Sequence, residues 1–138
     1  MKKGPEIFRV ALEVSDGAKA ARFYERLLGV PCRAVGGGRH YFDCGAMILA
    51  LVEVPRPEPS PENLYFAVGD VAAVHARARA LRCLAKEKVH GEPGGAVVRR
   101  PWGELSFYAV DRDGNLLCFV DRKTLFTGRG DRGAARRS

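Results

Sequence analysis

The sequence contains an internal repeat with an offset of 54 residues, and this repeat favours folds that are built from two similar halves. The segment 9–16 (RVALEVSD) aligns with the segment 63–70 (NLYFAVGD) in pattern rather than in identity. In both copies apolar residues occupy every second position, and an aspartate ends the run. A period of two is typical of a strand with one buried face. Each half is therefore predicted to open with a strand.

A helix is predicted after each of these strands. Asp16 and Asp70 are suitable N-caps, because a carboxylate can accept the free backbone N–H groups of the first helical turn. Apolar residues then follow at spacings of three or four in both copies, as in a helix with one buried face. Gly29 and Pro31 are predicted to end the first helix, since glycine tolerates a left-handed cap and proline cannot continue the helix.

Three short strands are predicted after each helix. They cover residues 32–35, 39–44 and 46–54 in the first copy, and residues 87–90, 104–110 and 116–121 in the second. Between the copies, the alternating prolines of residues 55–61 are typical of an extended linker.

The predicted fold class is α+β, with a βαβββ module over about residues 6–54 and a second module over about residues 62–121. Together the modules are expected to form a curved mixed sheet with the helices on its convex side. The 138 residues are sufficient for one domain with one contiguous core. We therefore predict a single domain, followed by a basic tail over residues 127–138.

The net charge of +7 is unevenly distributed, because four arginines and one aspartate give the tail a net charge of +3. A basic tail that is rich in glycine and alanine is most simply a disordered end, although partner binding through it is an alternative. The rest of the chain lacks a basic stripe with interleaved aromatic residues. The sequence therefore argues against nucleic-acid binding.

Several features predict a cytoplasmic protein that does not enter a membrane. No apolar run approaches the length of a membrane span, and charged residues near the N-terminus precede any apolar segment of a secretory signal. The four cysteines form no CxxC pair and are expected to be free thiols.

Several of these segments resemble a known superfamily. Residues 10–14, Ser15-Asp16, Phe23-Tyr24 and Leu28-Gly29 resemble the opening motif of the vicinal oxygen chelate superfamily, and residues 102–108 and 111–117 resemble its terminal hairpin. That superfamily includes glyoxalases, extradiol dioxygenases, and bleomycin- and fosfomycin-resistance proteins. The resemblance spans about residues 7–121. It implies the fold given above and a homodimer with two cavities, but it specifies function poorly, because the same fold supports many chemistries.

Metal-dependent members of the superfamily carry one ligand in each quarter of the fold. Matched by motif, these positions are Arg9, Leu49, Asn63 and Cys118 in this sequence. An arginine repels a cation and a leucine donates nothing, whereas a divalent metal needs several imidazole or carboxylate ligands. We therefore expect a cavity without a metal or any other cofactor.

The resemblance implies that the same four positions line a shared pocket. Arg9 there needs an anion, which is either an acidic side chain of the protein or a bound ligand. Alternation along the strand places Tyr65 on the cavity side, and Trp102 and Tyr108 are further aromatic candidates. For Phe107 and Tyr108 the sequence does not decide which side chain points inward. Of the three histidines, His40 is the one that is expected to face the cavity.

The leading hypothesis is a metal-independent small-molecule binding protein whose cavity suits a small anionic or neutral organic ligand. One alternative is a lyase or isomerase in which Arg9 stabilises an oxyanion. Another is a metal-dependent glyoxalase or dioxygenase, which would require that the motif alignment has slipped. The basic character of the body argues against a cationic ligand of the bleomycin type.

Overall fold

The computed structural model describes residues 4–129. Its contacts divide the chain between Ser60 and Pro61 into two compact units, which we call unit one and unit two. This division falls within the proline-rich segment of residues 55–61. Most of the basic tail predicted for residues 127–138 lies outside the described residues.

Unit one contains one helix and a four-stranded mixed sheet. The sheet order is β1-β4-β3-β2, in which β1 is parallel to β4 and the other pairs are antiparallel. This is the predicted βαβββ plan. The elements are β1 (Arg9–Val14), α1 (Gly17–Leu28), β2 (Cys32–Gly36), β3 (Arg39–Cys44) and β4 (Met47–Glu53).

Helix α1 begins and ends at the predicted residues. The Asp16 carboxylate accepts a hydrogen bond from the Lys19 amide at 3.0 Å. Gly29 adopts the left-handed conformation with φ of 73°, and its amide donates to the Glu25 carbonyl. Tyr24 and Leu27 are completely buried on the inner face of the helix. Capping and the buried stripe together hold α1 on one face of the sheet.

Unit two repeats the topology of unit one. Its main sheet has the order β5-β10-β9-β8, in which β5 is parallel to β10. The predicted strand at residues 87–90 is shorter than expected and pairs with β7 outside the main sheet. The elements are β5 (Leu64–Val68), α2 (Val71–Ala80), β6 (Lys88–Val89), β7 (Glu92–Pro93), β8 (Val98–Arg99), β9 (Leu105–Val110), β10 (Leu116–Asp121) and a 3-10 helix (Arg122–Thr124).

A local turn explains this difference in the second half. His90 and Gly91 both have positive φ angles, 53° and 80°, and they reverse the chain into the short β6–β7 hairpin. The outer strand of the main sheet is instead β8, which has two residues. A strand of two residues carries no alternating pattern, so the sequence could not reveal it.

Helix α2 covers one face of the sheet in unit two. The Asp70 carboxylate caps it by accepting from the Ala73 amide at 3.0 Å. Beneath the helix, the Phe119 ring stacks between those of Phe66 and Phe107, with centroid distances of 4.9 and 5.3 Å. The α+β class and both βαβββ modules are thus confirmed. No helix among residues 4–129 is long and apolar enough to cross a membrane.

Candidate functional site

The sheet of unit two has a second face, opposite α2, which we call the Cys118 face. Strand register places Tyr65, Cys118 and Tyr108 side by side in one row across three strands. Because side chains alternate along a strand, Phe107 lies on the other face, where it contacts His75 of α2 at a ring distance of 5.0 Å. The structure therefore decides between the two aromatic candidates and places Tyr108 on the Cys118 face.

One cavity borders this face and has a volume of about 530 Å³; we call it the Asn63 cavity. Its sheet side is formed by β9 and β10, and the segment of residues 82–89 walls its other side. Ala85 and Val89 of this segment pack against the buried cluster that contains Tyr108 and Cys118. The charged lining side chains are Arg82, Lys86, Lys88 and Glu87, three cations and one anion.

A second cavity of about 420 Å³ is lined by Tyr65, Trp102, Glu104 and the aromatic ring of Phe126, among others; we call it the Tyr65 cavity. The Trp102 indole N–H donates to the Glu104 carboxylate at 2.8 Å. The other oxygen of that carboxylate accepts from the Phe126 amide at 2.9 Å. Glu104 is thus fixed by two neutral donors. Tyr65 is 59% exposed, so its ring is accessible to a ligand.

The titratable groups at the centre of the Cys118 face are protonated at neutral pH. Burial raises the pKa of the Cys118 thiol to about 11, against the smaller lowering effects of the Ser106 and Tyr108 hydroxyls and of Arg100. Burial is also the main cause that raises the pKa of Tyr108 to about 12. A nucleophilic cysteine needs a lowered pKa. Cys118 is therefore a packed thiol rather than an activated thiolate.

Sequence reasoning missed Arg100, a buried arginine on the same face. It is 2% exposed. Its Nε donates to Ser106 Oγ and its Nη2 donates to the Ser106 carbonyl, both at 3.0 Å. Its guanidinium carbon lies 4.9 Å from the centroid of the Tyr108 ring. The only sequence signal was a cation next to the predicted strand 104–110, which does not distinguish a buried arginine from an exposed one.

Arg9 lies in unit one at the start of β1 and is exposed. Its guanidinium carbon is 4.9 Å from the Phe8 ring centroid and 5.7 Å from that of Tyr41. It forms no ion pair with any residue in the range 4–129. These contacts place Arg9 and Tyr41 on the sheet face opposite α1, as the alternation predicted. The convergence of Arg9 with Asn63 and Cys118 remains a prediction, because those residues belong to unit two.

The placement of Leu49 beside Arg9 is wrong. In the register of unit one Arg9 pairs with Ile48, whereas Leu49 pairs with Val10 and Phe42 on the face that packs on α1. Leu49 is accordingly 1% exposed. In unit two Cys118 pairs with Tyr65, and the repeat aligns Tyr65 with Ala11. Ala11 pairs with Ala50, so Ala50 is the residue of unit one that corresponds to Cys118. The motif match had slipped by one residue, and such a slip exchanges the two faces of a strand.

His40 also lies on the helix face, so its predicted cavity position is wrong. It pairs with Leu51, which is completely buried. A Cβ built on Gly17 at the start of α1 would lie 2.9 Å from His40 Cε1. This close approach is possible only because residue 17 is glycine. His40 therefore helps to seat the first turn of α1.

A comparison with protein families supports the family resemblance that the βαβββ topology of both units also indicates. The sequence profile of the Glyoxalase/Bleomycin resistance protein/Dioxygenase superfamily matches residues 6–119. The chain belongs to this superfamily. A comparison with curated protein sequences gives no significant match.

Solved structures of the superfamily share the fold at low identity. A bleomycin resistance determinant encoded on the transposon Tn5 is 21% identical, with a TM-score of 0.67 and coverage of 86% of this chain and 99% of that one. Lactoylglutathione lyase from Agrobacterium tumefaciens is 24% identical, with a TM-score of 0.64 and coverage of 88% and 97%. The oxidase ChaP-H2 is 19% identical, with a TM-score of 0.71 and coverage of 87% and 95%. At these identities the likeness shows the fold alone.

The residues of this chain do not fit the metal of the metal-dependent superfamily members. At the ligand positions that the resemblance implies, unit one has Arg9, which is a cation, and, with the register corrected, Ala50, which donates nothing, while unit two has Asn63 and Cys118. Between residues 4 and 129, no three His, Cys, Asp or Glu side chains are grouped as a metal site would require. The corrected register replaces Leu49 by Ala50 at this position. Neither side chain has a ligand atom, so the set of donors is unsuitable for a divalent ion with either residue.

Proposed function

We propose that this superfamily member is a metal-independent protein that binds a small anionic or neutral organic molecule in the Asn63 cavity. The observation that carries the proposal is the combination of an apolar floor and a cationic rim in that cavity. We also propose that the protein is cytoplasmic and forms a homodimer, the assembly that the family resemblance implies.

The size and lining of the Asn63 cavity suit an organic molecule. Its volume of about 530 Å³ lies within the usual range of about 300–1,000 Å³ for ligand pockets. Val89, Val110 and Leu116 contribute alkyl surface, while the Asn63 amide and the Tyr108 phenol provide the few polar groups. Such a lining favours a molecule with an apolar body and a limited number of hydrogen-bonding atoms.

The charges of the lining favour a negative ligand over a positive one. Arg82, Lys86 and Lys88 against Glu87 give the rim a net charge of +2. Charge complementarity speeds the encounter with an anion and rejects cations. The bleomycin resistance protein that shares the fold therefore does not indicate the ligand of this chain.

The protonated side chains in the lining of the Asn63 cavity favour binding over turnover. A lyase or isomerase needs a group whose pKa lies near the working pH, so that it can accept and return a proton. Burial raises the pKa of Tyr108 to about 12 and that of Cys83, the cysteine of the lining, to about 11, so neither acts as a base near pH 7. A binding protein needs no such group.

The proposal is tested with three probes of nearly equal shape, namely benzoate, benzamide and benzylamine, whose charges are negative, neutral and positive. Affinities are measured by isothermal titration calorimetry on the full chain. We expect benzoate and benzamide to bind and benzylamine to bind at least about tenfold more weakly than benzoate. The double variant Lys86→Glu/Lys88→Glu should lose most of the preference for benzoate.

A matched control reverses two exposed charges on α1, Lys19→Glu/Arg22→Glu, which changes the net charge equally but lies outside the cavity. This control should bind the probes as the unaltered protein does. The binding proposal fails if none of the three probes binds, or if both double variants change the affinities equally. Elemental analysis of the purified protein tests the proposal that binding is independent of a metal. About one equivalent of nickel, iron, manganese or zinc per chain would overturn that proposal.

A further inference from the structure

Arg100 carries a positive charge that the described part of the protein does not neutralise. Its side chain is 2% exposed, and it forms no ion pair with any described residue. The nearest carboxylate in sequence, that of Glu104, already accepts hydrogen bonds from the Trp102 indole and the Phe126 amide. A guanidinium does not lose its proton in proteins, so its charge persists at this buried position.

One end of the guanidinium is also without a hydrogen-bond partner. Nε and Nη2 donate to Ser106, but Nη1 is buried and has no partner among residues 4–129. Buried donors in native proteins are nearly always paired, and an exception indicates strain, a function, or a molecule that is bound at that place. Nη1 and Nη2 form one side of the planar fork that binds the two oxygens of a carboxylate.

The side chains that contact Arg100 carry no negative charge. Ser106 contacts the guanidinium directly, and the Tyr108 ring stacks against it. Cys118 pairs with Tyr108 across the strands and lies close enough to Arg100 for the charge to act on its thiol. All three side chains are buried and uncharged, and the Glu104 carboxylate, whose charge also acts on the Cys118 thiol, forms no ion pair with Arg100, so the surroundings favour a negative ligand.

We propose that Arg100 is the anchor of an anion site that takes the carboxylate of a small organic acid. The inference rests on the proposed function only for the class of ligand. The Tyr108 ring connects the two sites, because it borders the Asn63 cavity and covers the guanidinium. Because the guanidinium is buried, this proposal requires that the Tyr108 ring moves aside when a ligand binds at Nη1. The neutral ligands that the cavity also admits do not use Arg100.

The first arm of the test uses formate, which is small enough to probe the anchor without filling the cavity. Sodium formate replaces sodium chloride at constant ionic strength, and formamide serves as the uncharged analogue. Binding is followed by the melting temperature and by the NMR shift of the Arg100 Nε–H in nitrogen-15 labelled protein. We expect formate, but not formamide, to raise the melting temperature and to move this one signal.

The second arm uses variants. Arg100→Met removes the charge at similar volume and should abolish the effect of formate, while its own melting temperature without formate stays equal or rises, because an unpaired buried charge is costly. Arg100→Lys keeps the charge without the fork and should weaken formate binding by about tenfold. The control is Arg99→Met, which removes an exposed guanidinium one residue away and should leave formate binding unchanged.

Three results would overturn the anion site: formate and formamide acting alike, formate protecting Arg100→Met as much as the unaltered protein, or Arg100→Lys binding formate without loss. The first result is the one that a buried water molecule at Nη1 would give. If Arg100→Met does not fold, the comparison of Arg100→Lys with Arg99→Met still decides. Formate binding without benzoate binding would reject the cavity of the proposed function and keep the anchor, whereas the reverse would reject the anchor alone.

Discussion

The substitution Leu49→Ala tests the corrected register of β4, and with it the identity of the residues that face a ligand. Leu49 is 1% exposed and lies between Val10 and Phe42 on the face that packs on α1. The change removes three buried carbon atoms, which at about 0.8 kcal/mol for each buried methylene group amounts to about 2.4 kcal/mol. The cavity that is left behind adds to this value, so we expect a loss of about 3 kcal/mol in the free energy of unfolding.

The measurement is urea unfolding followed by circular dichroism, in which a lower midpoint at an unchanged slope reports a loss of stability. The matched control is Ile48→Ala, one residue away on the opposite face and only partly buried. We expect this control to cost about 1 kcal/mol or less. Equal losses of under about 1 kcal/mol in both variants would contradict the register argument and would return Leu49 to the cavity side.

Two further predictions concern a helix cap and the alkaline limit of stability. Asp70→Ala should destabilise the fold by about 0.5–2 kcal/mol, because it removes the acceptor of the Ala73 amide. Asp70→Asn should retain most of the stability. Similar urea midpoints for Asp70→Ala and the unaltered protein would disprove the capping role. For Cys118, the folded pKa of about 11 lies above the ordinary value of 9.0, so the folded state keeps a proton that the unfolded state releases. Its contribution to stability is full below pH 9 and is lost as the pH rises to about 11. The urea midpoint of Cys118→Ala should therefore fall less steeply over this interval than that of the unaltered protein. Parallel pH profiles of the two proteins would contradict the raised pKa.

Local sequence patterns were sufficient for most of the fold, because they encode interactions between near neighbours. The capping aspartates Asp16 and Asp70 and the terminating Gly29 mark the helices wherever the rest of the chain lies. Alternation in 9–14 and 64–68 likewise fixes which side chains share a face. These signals predicted both βαβββ modules, and the observed bounds of β3 and β10 equal the predicted ones.

Register between strands was beyond the sequence. The apolar run of β4 buries Leu49, Ala50 and Leu51 in succession, so no alternation indicated which of them faces α1. Only the pairing with β1 decided this, and a shift of one residue had exchanged Leu49 for Ala50. The pairing of β3 with β4 in turn places His40 on the helix side and not in the expected cavity.

The sequence by itself determined the class of the fold and the two modules, since both follow from residue types and short spacings. The tertiary structure alone decided that Arg100 is a buried cation on the Cys118 face, next to Ser106 and Tyr108. The burial of a charge is a property of everything packed around it. Arg100 contacts Ser106 and Tyr108 of β9, and no local pattern in the sequence records these contacts.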